Sequence, residues 1–232
     1  MVDQPSAGAR LAIIVPVLNE VSALPNLLEH LRHWQQRGAE VVLVDGGSTD
    51  QTADTARSAG FRVITATAGR ASQMNAGARA SHSANLLFLH ADTRLPDNAD
   101  QYLLSTLNSA PLVWGRFDVI IEGHSRMLPV VAWLMNWRSR LSSIATGDQA
   151  MFMTRELFNK VNGFPEQPLM EDIEISKRLK HICPPVCLPH KVITSGRRWD
   201  TYGSWRTILL MWQLRWAYWR GVPAKQLAER YR

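Results

Sequence analysis

Hydrophobic positions along the first half of the chain come in short unbroken runs separated by helical patterns. Residues 11–18, LAIIVPVL, read as a strand buried on both faces. VSALPNLLEHLRHWQQRG follows, with Leu24, Leu27, Leu28, Leu31 and Trp34 on one helical face and Gly38 as its stop. EVVLVDGGSTD is a second strand breaking into a glycine turn, after which Ser48 or Asp50 can cap a helix over about 51–59. FRVITAT is a third strand, RASQMNAGARAS a helix, ANLLFLHAD a fourth strand and NADQYLLSTLN another helix. Four strand–helix alternations with short links imply an α/β fold with a mostly parallel sheet and helices on both faces.

Beyond residue 110 the rhythm changes. LVWGRFDVIIEG alternates like an antiparallel strand or the edge of a mixed sheet, and MLPVVAWLMNWRSRL reads as a helix rich in Trp and Met. GDQAMFMTRELFNKVNGF reads as a short strand, a Thr154 cap and a helix closed by Gly163, and PLMEDIEISKRLKHI as a further helix. The division expected is a flexible start over 1–10, one domain over 11–200 and a helical extension packed on it over 201–232.

Charge alters this picture in one place. The formal net charge is +6, and residues 196–232 hold eight Lys/Arg against two acids, so the rest of the chain balances. That basic excess suits anionic lipid, nucleic acid or a phosphate-bearing substrate, or simply a solvated helix. In YGSWRTILLMWQLRWAYWRG, Trp205, Leu209, Trp212, Trp216 and Trp219 form one helical stripe flanked by Arg206, Arg215 and Arg220. Such a stripe packs on the protein's own core, lies on an anionic bilayer as a peripheral membrane contact, or seals a homodimer. Packing is the first expectation. Aromatics set at packing intervals argue for no nucleic-acid partner. Cys183 and Cys187 alone do not make a zinc site. They read as reduced thiols of a cytoplasmic protein, membrane-peripheral if the stripe meets lipid.

Polar groups gather where the apolar strands end, and ligands of open α/β sheets sit outside the carboxyl ends of the strands. Asn19 and Glu20, Asp45, and Asp92 occupy three such ends. Asp45 before two glycines fits either a tight turn or a carboxylate receiving a nucleobase N–H. In LLFLHADTRLP, Asp92 is a candidate ligand for Mg2+ or Mn2+, which take carboxylate oxygen and borrow further ligands from substrate phosphates. His90 is a candidate second ligand, against the alternative of a structural imidazole. Glu171 and Asp172 open a helix, where acids suit the dipole and where one can serve as general base. Arg70, Arg116 and the Arg197–Arg198 pair each follow a glycine and are candidate phosphate clamps. No G-x-G-x-x-G follows the first strand, which argues against a dinucleotide oxidoreductase. No Gly-rich basic loop follows it either, which argues against nucleotidyl transfer.

The ordered set IIVPVLNE, VDGGSTD, HAD, GDQAMF, NGFPE and MED resembles the family 2 glycosyltransferases of GT-A fold over roughly residues 11–200. That resemblance implies a Rossmann-like sheet and metal-assisted, inverting transfer from a UDP-sugar of UDP-GlcNAc or UDP-glucose type. Asp45 would meet the uracil, Asp92 the metal on the diphosphate, and Asp172, with Glu171 beside it, would act as base. The matched motifs place Pro16, Asn19, Glu20, Asp45, Gly47, Arg70, Asp92, Gly147 and Asp148 around the nucleotide-sugar. Arg116, Arg197, Arg198 and Trp199 are assigned to phosphate or acceptor. His90 departs from the pattern, standing where many members carry the first aspartate of D-x-D. GRASQMNAG, LLFLHADTRLP, ATGDQAMF, PLMEDIEISKRLK and TSGRRW are similar to a narrower bacterial subgroup of arsenosugar- or selenium-associated glycosyltransferases. One branch of it comprises selenosugar synthases of selenoneine biosynthesis, which implies a small anionic acceptor such as selenophosphate and a new C–Se bond. One alternative is an alcohol, arsenosugar or lipid acceptor, and another is a non-catalytic nucleotide-sugar-binding or membrane-associated protein. QLRW at 213–216 falls one residue short of the Q-x-x-R-W of processive synthases.

Overall fold

In a computed structural model, which describes residues 10–231, the alternation resolves into one eight-stranded sheet. The strands are β1 (Ala12–Val17), β2 (Glu40–Asp45), β3 (Arg62–Thr65), β4 (Asn85–Phe88), β5 (Thr93–Arg94), β6 (Trp114–Glu122), β7 (Met151–Thr154) and β8 (Val186–Ser195). Their order in space is β3-β2-β1-β4-β7-β6-β8-β5. β3, β2, β1 and β4 run parallel, β7 is antiparallel to both its neighbours, and β8 is parallel to β6 and antiparallel to β5. The sheet is thus mostly parallel, with β7 and the two-residue β5 running against the rest.

The helices are α1 (Leu24–Gln36), α2 (Thr52–Ser58), α3 (Arg70–Ala80), α4 (Ala99–Leu107), α5 (Leu128–Ser142), α6 (Arg155–Lys160), α7 (Glu171–Lys180), α8 (Arg197–Tyr202), α9 (Ser204–Trp219) and α10 (Ala224–Tyr231). One apolar layer joins α1, α4 and α5 to a sheet face through Leu31, Trp34, Leu103, Val131 and Phe117. The other joins α3, α6 and α7 to the opposite face through Met74, Ala78, Phe158, Ile175 and Leu179. Strands covered on both sides need no polar face, so β1, β2 and β4 are nearly continuous apolar runs.

Local signals act as their chemistry dictates. Gly38 follows α1 at φ +88°, a left-handed position open to glycine. Thr154 caps α6 by accepting the Leu157 N–H. Ahead of α2, Asp50 rather than Ser48 takes the Thr52 N–H, at 2.9 Å.

Two expectations change. Of the two readings of residues 112–123, the antiparallel strand agrees with the pairing of β6 to β7, whereas the edge does not: β6 is interior, between β7 and β8. The pairing of β6 with β8 slips between Phe117 and Asp118, which face Leu188 and Lys191, so Pro189 and His190 bulge out. Proline lacks an N–H for the ladder, and a bulge is where a strand tolerates it. The tryptophan stripe also does not pack inward. α9 buries its other side, Leu214 and Ala217, in a cluster with Ile144, Met170, Ile173 and Leu227, while Trp205, Leu209, Trp212, Trp216 and Trp219 face solvent. Residues 1–9, expected to be flexible, lie outside the described residues.

Candidate active site

The carboxyl ends of β1, β2 and β4 form one rim, stitched together by short polar contacts. Gln73 on α3 is buried and donates from Nε2 to the carbonyls of Val17 and Val44, at 2.9 and 2.7 Å, locking β1 to β2. The loops after the two strands are zipped as well. Asn19 Oδ1 accepts the Thr49 N–H at 2.8 Å, the Asn19 N–H donates to Ser48 Oγ at 2.9 Å, and the Glu20 N–H donates to Thr52 Oγ1 at 2.9 Å. Asp45 accepts from the Gly47 and Ser48 N–H groups and from Ser48 Oγ, so both of its oxygens shape its own turn. Gly47 supplies the positive φ, +87°, that this turn requires.

Above that rim opens a cleft of about 380 Å³. Pro16, Glu20, Arg70, His90, Asp92, Glu171 and Arg197 all line it, joined by Leu169 and Tyr231 from the second half of the chain. A groove of about 250 Å³ on the other side shares Asp92 and Arg197 with it. The Asp92 carboxylate is exposed and has one distant partner, Thr93 Oγ1 at 3.4 Å, which leaves its oxygens free for a ligand. Arg197 approaches Glu20 at 4.0 Å. Burial pushes Glu20 above the ordinary carboxylate range, with Arg197 pulling the other way.

Glu171 and Asp172 sit at the start of α7 after Met170, which adopts φ +65°. Glu171 is the member facing the cleft, and is 6% exposed. Asp172 turns toward the β7 side, where Oδ2 accepts the Gly147 N–H at 3.1 Å and Oδ1 accepts the Ile173 N–H at 2.7 Å. Burial raises both acids, and the Asp172 charge raises Glu171 further, opposed by Arg70. Such a pair releases its protons as one unit. Burial acts to lower the Arg70 guanidinium, but Glu171 and Asp148 outweigh it and hold the charge more firmly.

Gly147 is the contact on which this corner turns. A Cβ there would fall on the His90 imidazole, so only glycine lets His90 lie against the Gly147–Gln149 turn. His90 Nδ1 is bonded to Asp148 Oδ1 at 3.2 Å. Burial works to raise Asp148, yet the bond to His90 wins and its pKa falls. With one ring nitrogen taken and the other packed over Gly147, His90 has the geometry of a structural imidazole.

Three of the arginine and tryptophan candidates are not brought to the cleft. Arg116 is fully buried in β6 and spends its guanidinium on Asp118, Ser139 and the Asn136 carbonyl. A Gly-Arg pair on an interior strand cannot reach a substrate phosphate, which corrects the phosphate-clamp expectation for Arg116. Arg198 donates to the Tyr231 carbonyl at 2.7 Å and stacks on that ring. Trp199 is partly buried against the apolar layer that α1, α4 and α5 share. No motif pointed to Gln73, nor to Arg138 on α5, whose two terminal nitrogens are buried without a partner among the described residues. Burial lowers the Arg138 pKa while the charge of Asp172 draws it back up.

The model of "Glycosyl transferase family 2" matches residues 12–160. A "PGL/p-HBAD biosynthesis glycosyltransferase" of Mycobacterium bovis is 38% identical over 96 residues, and its Mycobacterium tuberculosis counterpart matches equally. The matched stretch is 38% of this chain and 38% of those relatives, so the chain spans well under half of their length. Among solved structures, the mannosyltransferase PcManGT from Pyrobaculum calidifontis, in complex with GDP-Man and Mn2+, aligns with a TM-score of 0.60 at 18% identity, covering 81% of this chain and 57% of that one. S. aureus TarS 1-349 in complex with UDP aligns at 0.62 and 16% identity, over 80% of this chain and 60% of that one. The glucosyl-3-phosphoglycerate synthase of Mycobacterium tuberculosis, with Mn2+, UDP and its product, aligns at 0.56 and 18% identity, over 80% and 71%. At these identities the structures speak for the fold. With the family model spanning residues 12–160 and the GT-A architecture in place, the chain belongs to glycosyl transferase family 2.

Proposed function

We propose that this enzyme transfers a sugar from a UDP-sugar to a small anionic acceptor, with inversion, and that selenophosphate is that acceptor. The observation that carries the donor reading is the convergence of Asp92, Arg70, Arg197 and Glu171 on one cleft at the strand ends. Its volume of about 380 Å³ lies within the range of small-molecule sites. Asp92 would hold the Mg2+ or Mn2+. Among the described residues no three His, Cys, Asp or Glu side chains gather as a metal cage. One free carboxylate therefore fits an ion that takes its other ligands from diphosphate and water. Bound there, the ion supplies Lewis-acid neutralisation of the departing UDP. Arg70 and Arg197 add fixed positive charge along the same path.

The acceptor side rests on Arg138. A buried guanidinium with unpaired terminal nitrogens is costly unless an anion completes it. The Asp172 charge acts on Arg138, which supports a role for it beside the acid pair. An anionic acceptor paired with Arg138 arrives already nucleophilic and needs no base. The raised pKa of Glu171 and Asp172 favours a second reading, an alcohol acceptor whose proton the pair removes.

The test is mass spectrometry of products formed from a panel of UDP-sugars with Mn2+ or Mg2+ and either selenophosphate or alcohols. A seleno-sugar formed only with selenophosphate supports the first reading. Products from alcohols alone would replace it with the second. No UDP release with any acceptor or with water would overturn the donor assignment.

A further inference from the structure

Six of the nine tryptophans stand 53% to 78% exposed, and all six lie on α5 and α9. On α5, Trp133 and Trp137 stack with centroids 6.2 Å apart, and Val130, Leu134 and Leu141 share their outward face. On α9 the face is Trp205, Leu209, Trp212, Trp216 and Trp219. The opposite side of each helix already fills the core, so internal packing does not explain these rings. Exposed apolar stripes of this size mark a place of contact. The two helices start from one junction, where Ser125 and Ser204 hydroxyls meet at 2.6 Å and the Asp200 carboxylate accepts the His124 and Ser125 N–H groups.

Charge selects the occupant. Residues 123–147 and 201–228 contain no Asp or Glu, while the second stretch carries Arg206, Arg215, Arg220 and Lys225. Beside the α9 stripe, with Leu209 on its rim, lies a groove of about 530 Å³ lined by Arg198, Arg206 and Arg230 and by no acid. A symmetric dimer through this face would set the same cationic patch against itself. An anionic surface complements it, and tryptophan, with an apolar body and one N–H, favours the headgroup boundary of a bilayer. No helix among the described residues is long and apolar enough to cross a membrane. We propose that the outward faces of α5 and α9 dock this enzyme on an anionic bilayer, with the arginine groove receiving lipid phosphates. The surface stands on its own observations, whichever acceptor the cleft uses.

The experiment is co-sedimentation of the full chain with vesicles of phosphatidylcholine alone and of phosphatidylcholine mixed with phosphatidylglycerol, read alongside tryptophan emission. Binding at least tenfold stronger to the mixed vesicles, with a blue shift of emission, is expected. The double variant Trp212→Ala/Trp216→Ala should lose at least tenfold of that binding, and Arg206→Gln/Arg230→Gln should erase the preference for the mixed vesicles. Thermal melting and UDP binding of both variants should match the parent, since none of these side chains reaches the cleft. Absence of vesicle binding would overturn the proposal, as would binding indifferent to the tryptophan changes or to lipid charge. Light scattering that showed a stable dimer abolished by the tryptophan variant, without vesicle binding, would assign the face to a second copy instead.

Discussion

Replacing Asp172 by Asn separates what the acid pair costs the fold from what it does for catalysis. In the parent, Asp172 accepts two backbone N–H groups, from Gly147 and Ile173. An asparagine has one carbonyl oxygen, so one bond is lost, at about 1 kcal/mol. For a chain of this length that is roughly 2–4 °C of Tm. Against it stands the charge. Both acids have pKa values raised by burial, and Glu171 is raised further by Asp172. A carboxylate whose folded pKa exceeds its unfolded one binds its proton more tightly when folded. Its stabilising contribution is complete below the unfolded pKa, near ~4, and is lost as pH climbs through the folded value.

The variant lacks this penalty at position 172 and relieves it at Glu171. Its Tm should therefore sit below the parent's at pH 4 and gain on it steadily toward pH 8. Each unit by which the folded pKa is raised converts to about 1.4 kcal/mol, or roughly 3–6 °C. Scanning calorimetry at several pH values reads the difference directly. Transfer to an alcohol acceptor should fall at least tenfold, because removing the charge at 172 lowers the proton affinity of Glu171, the member of the pair that faces the cleft. A Tm difference that is flat with pH, or that shrinks as pH rises, would refute the claim that burial and mutual repulsion strain this pair.

Three further substitutions probe other parts of the site. Gly147→Ala puts a Cβ into the His90 ring and displaces the turn that bonds Asp172, so UDP release should fall about a hundredfold by misplacement while circular dichroism stays native; activity within twofold would count against it. Arg116→Met leaves Asp118 with Arg140 alone and should cost about 3 kcal/mol or more in urea unfolding, with UDP affinity of the folded protein unchanged. A weakened UDP affinity would return Arg116 to the substrate side. Arg138→Met removes a buried, unpaired charge and should raise stability by roughly 1–2 kcal/mol while lowering kcat/KM for an anionic acceptor; loss of stability would mean that the guanidinium has a partner in the resting protein.

How much of this was legible beforehand depended on whether a signal was local. β1, β2 and β4 were readable because strands covered on both faces are apolar throughout, and Thr154 and Gly38 because caps act within one turn. β8 was missed because its bulge at Pro189 and His190 breaks the alternation by which a strand is recognised. Arg116 looked like an edge residue because the pairing that buries β6 comes from β7 and β8, distant in sequence. Asp92 and Glu171 could be nominated from strand-end and helix-start positions, but no spacing says that Glu171 rather than Asp172 turns to the cleft. The α9 stripe shows the division most clearly. Its period fixed which residues share a face, and the direction of that face was set by Leu214 and Ala217, which meet Ile144, Met170 and Ile173 from other segments. Those small and aliphatic contacts won the interior although the stripe opposite is the more apolar side by volume. A helix oriented against its own largest hydrophobic groups leaves them available to an external apolar phase, and the absence of acids along α5 and α9 says which charge that phase should carry.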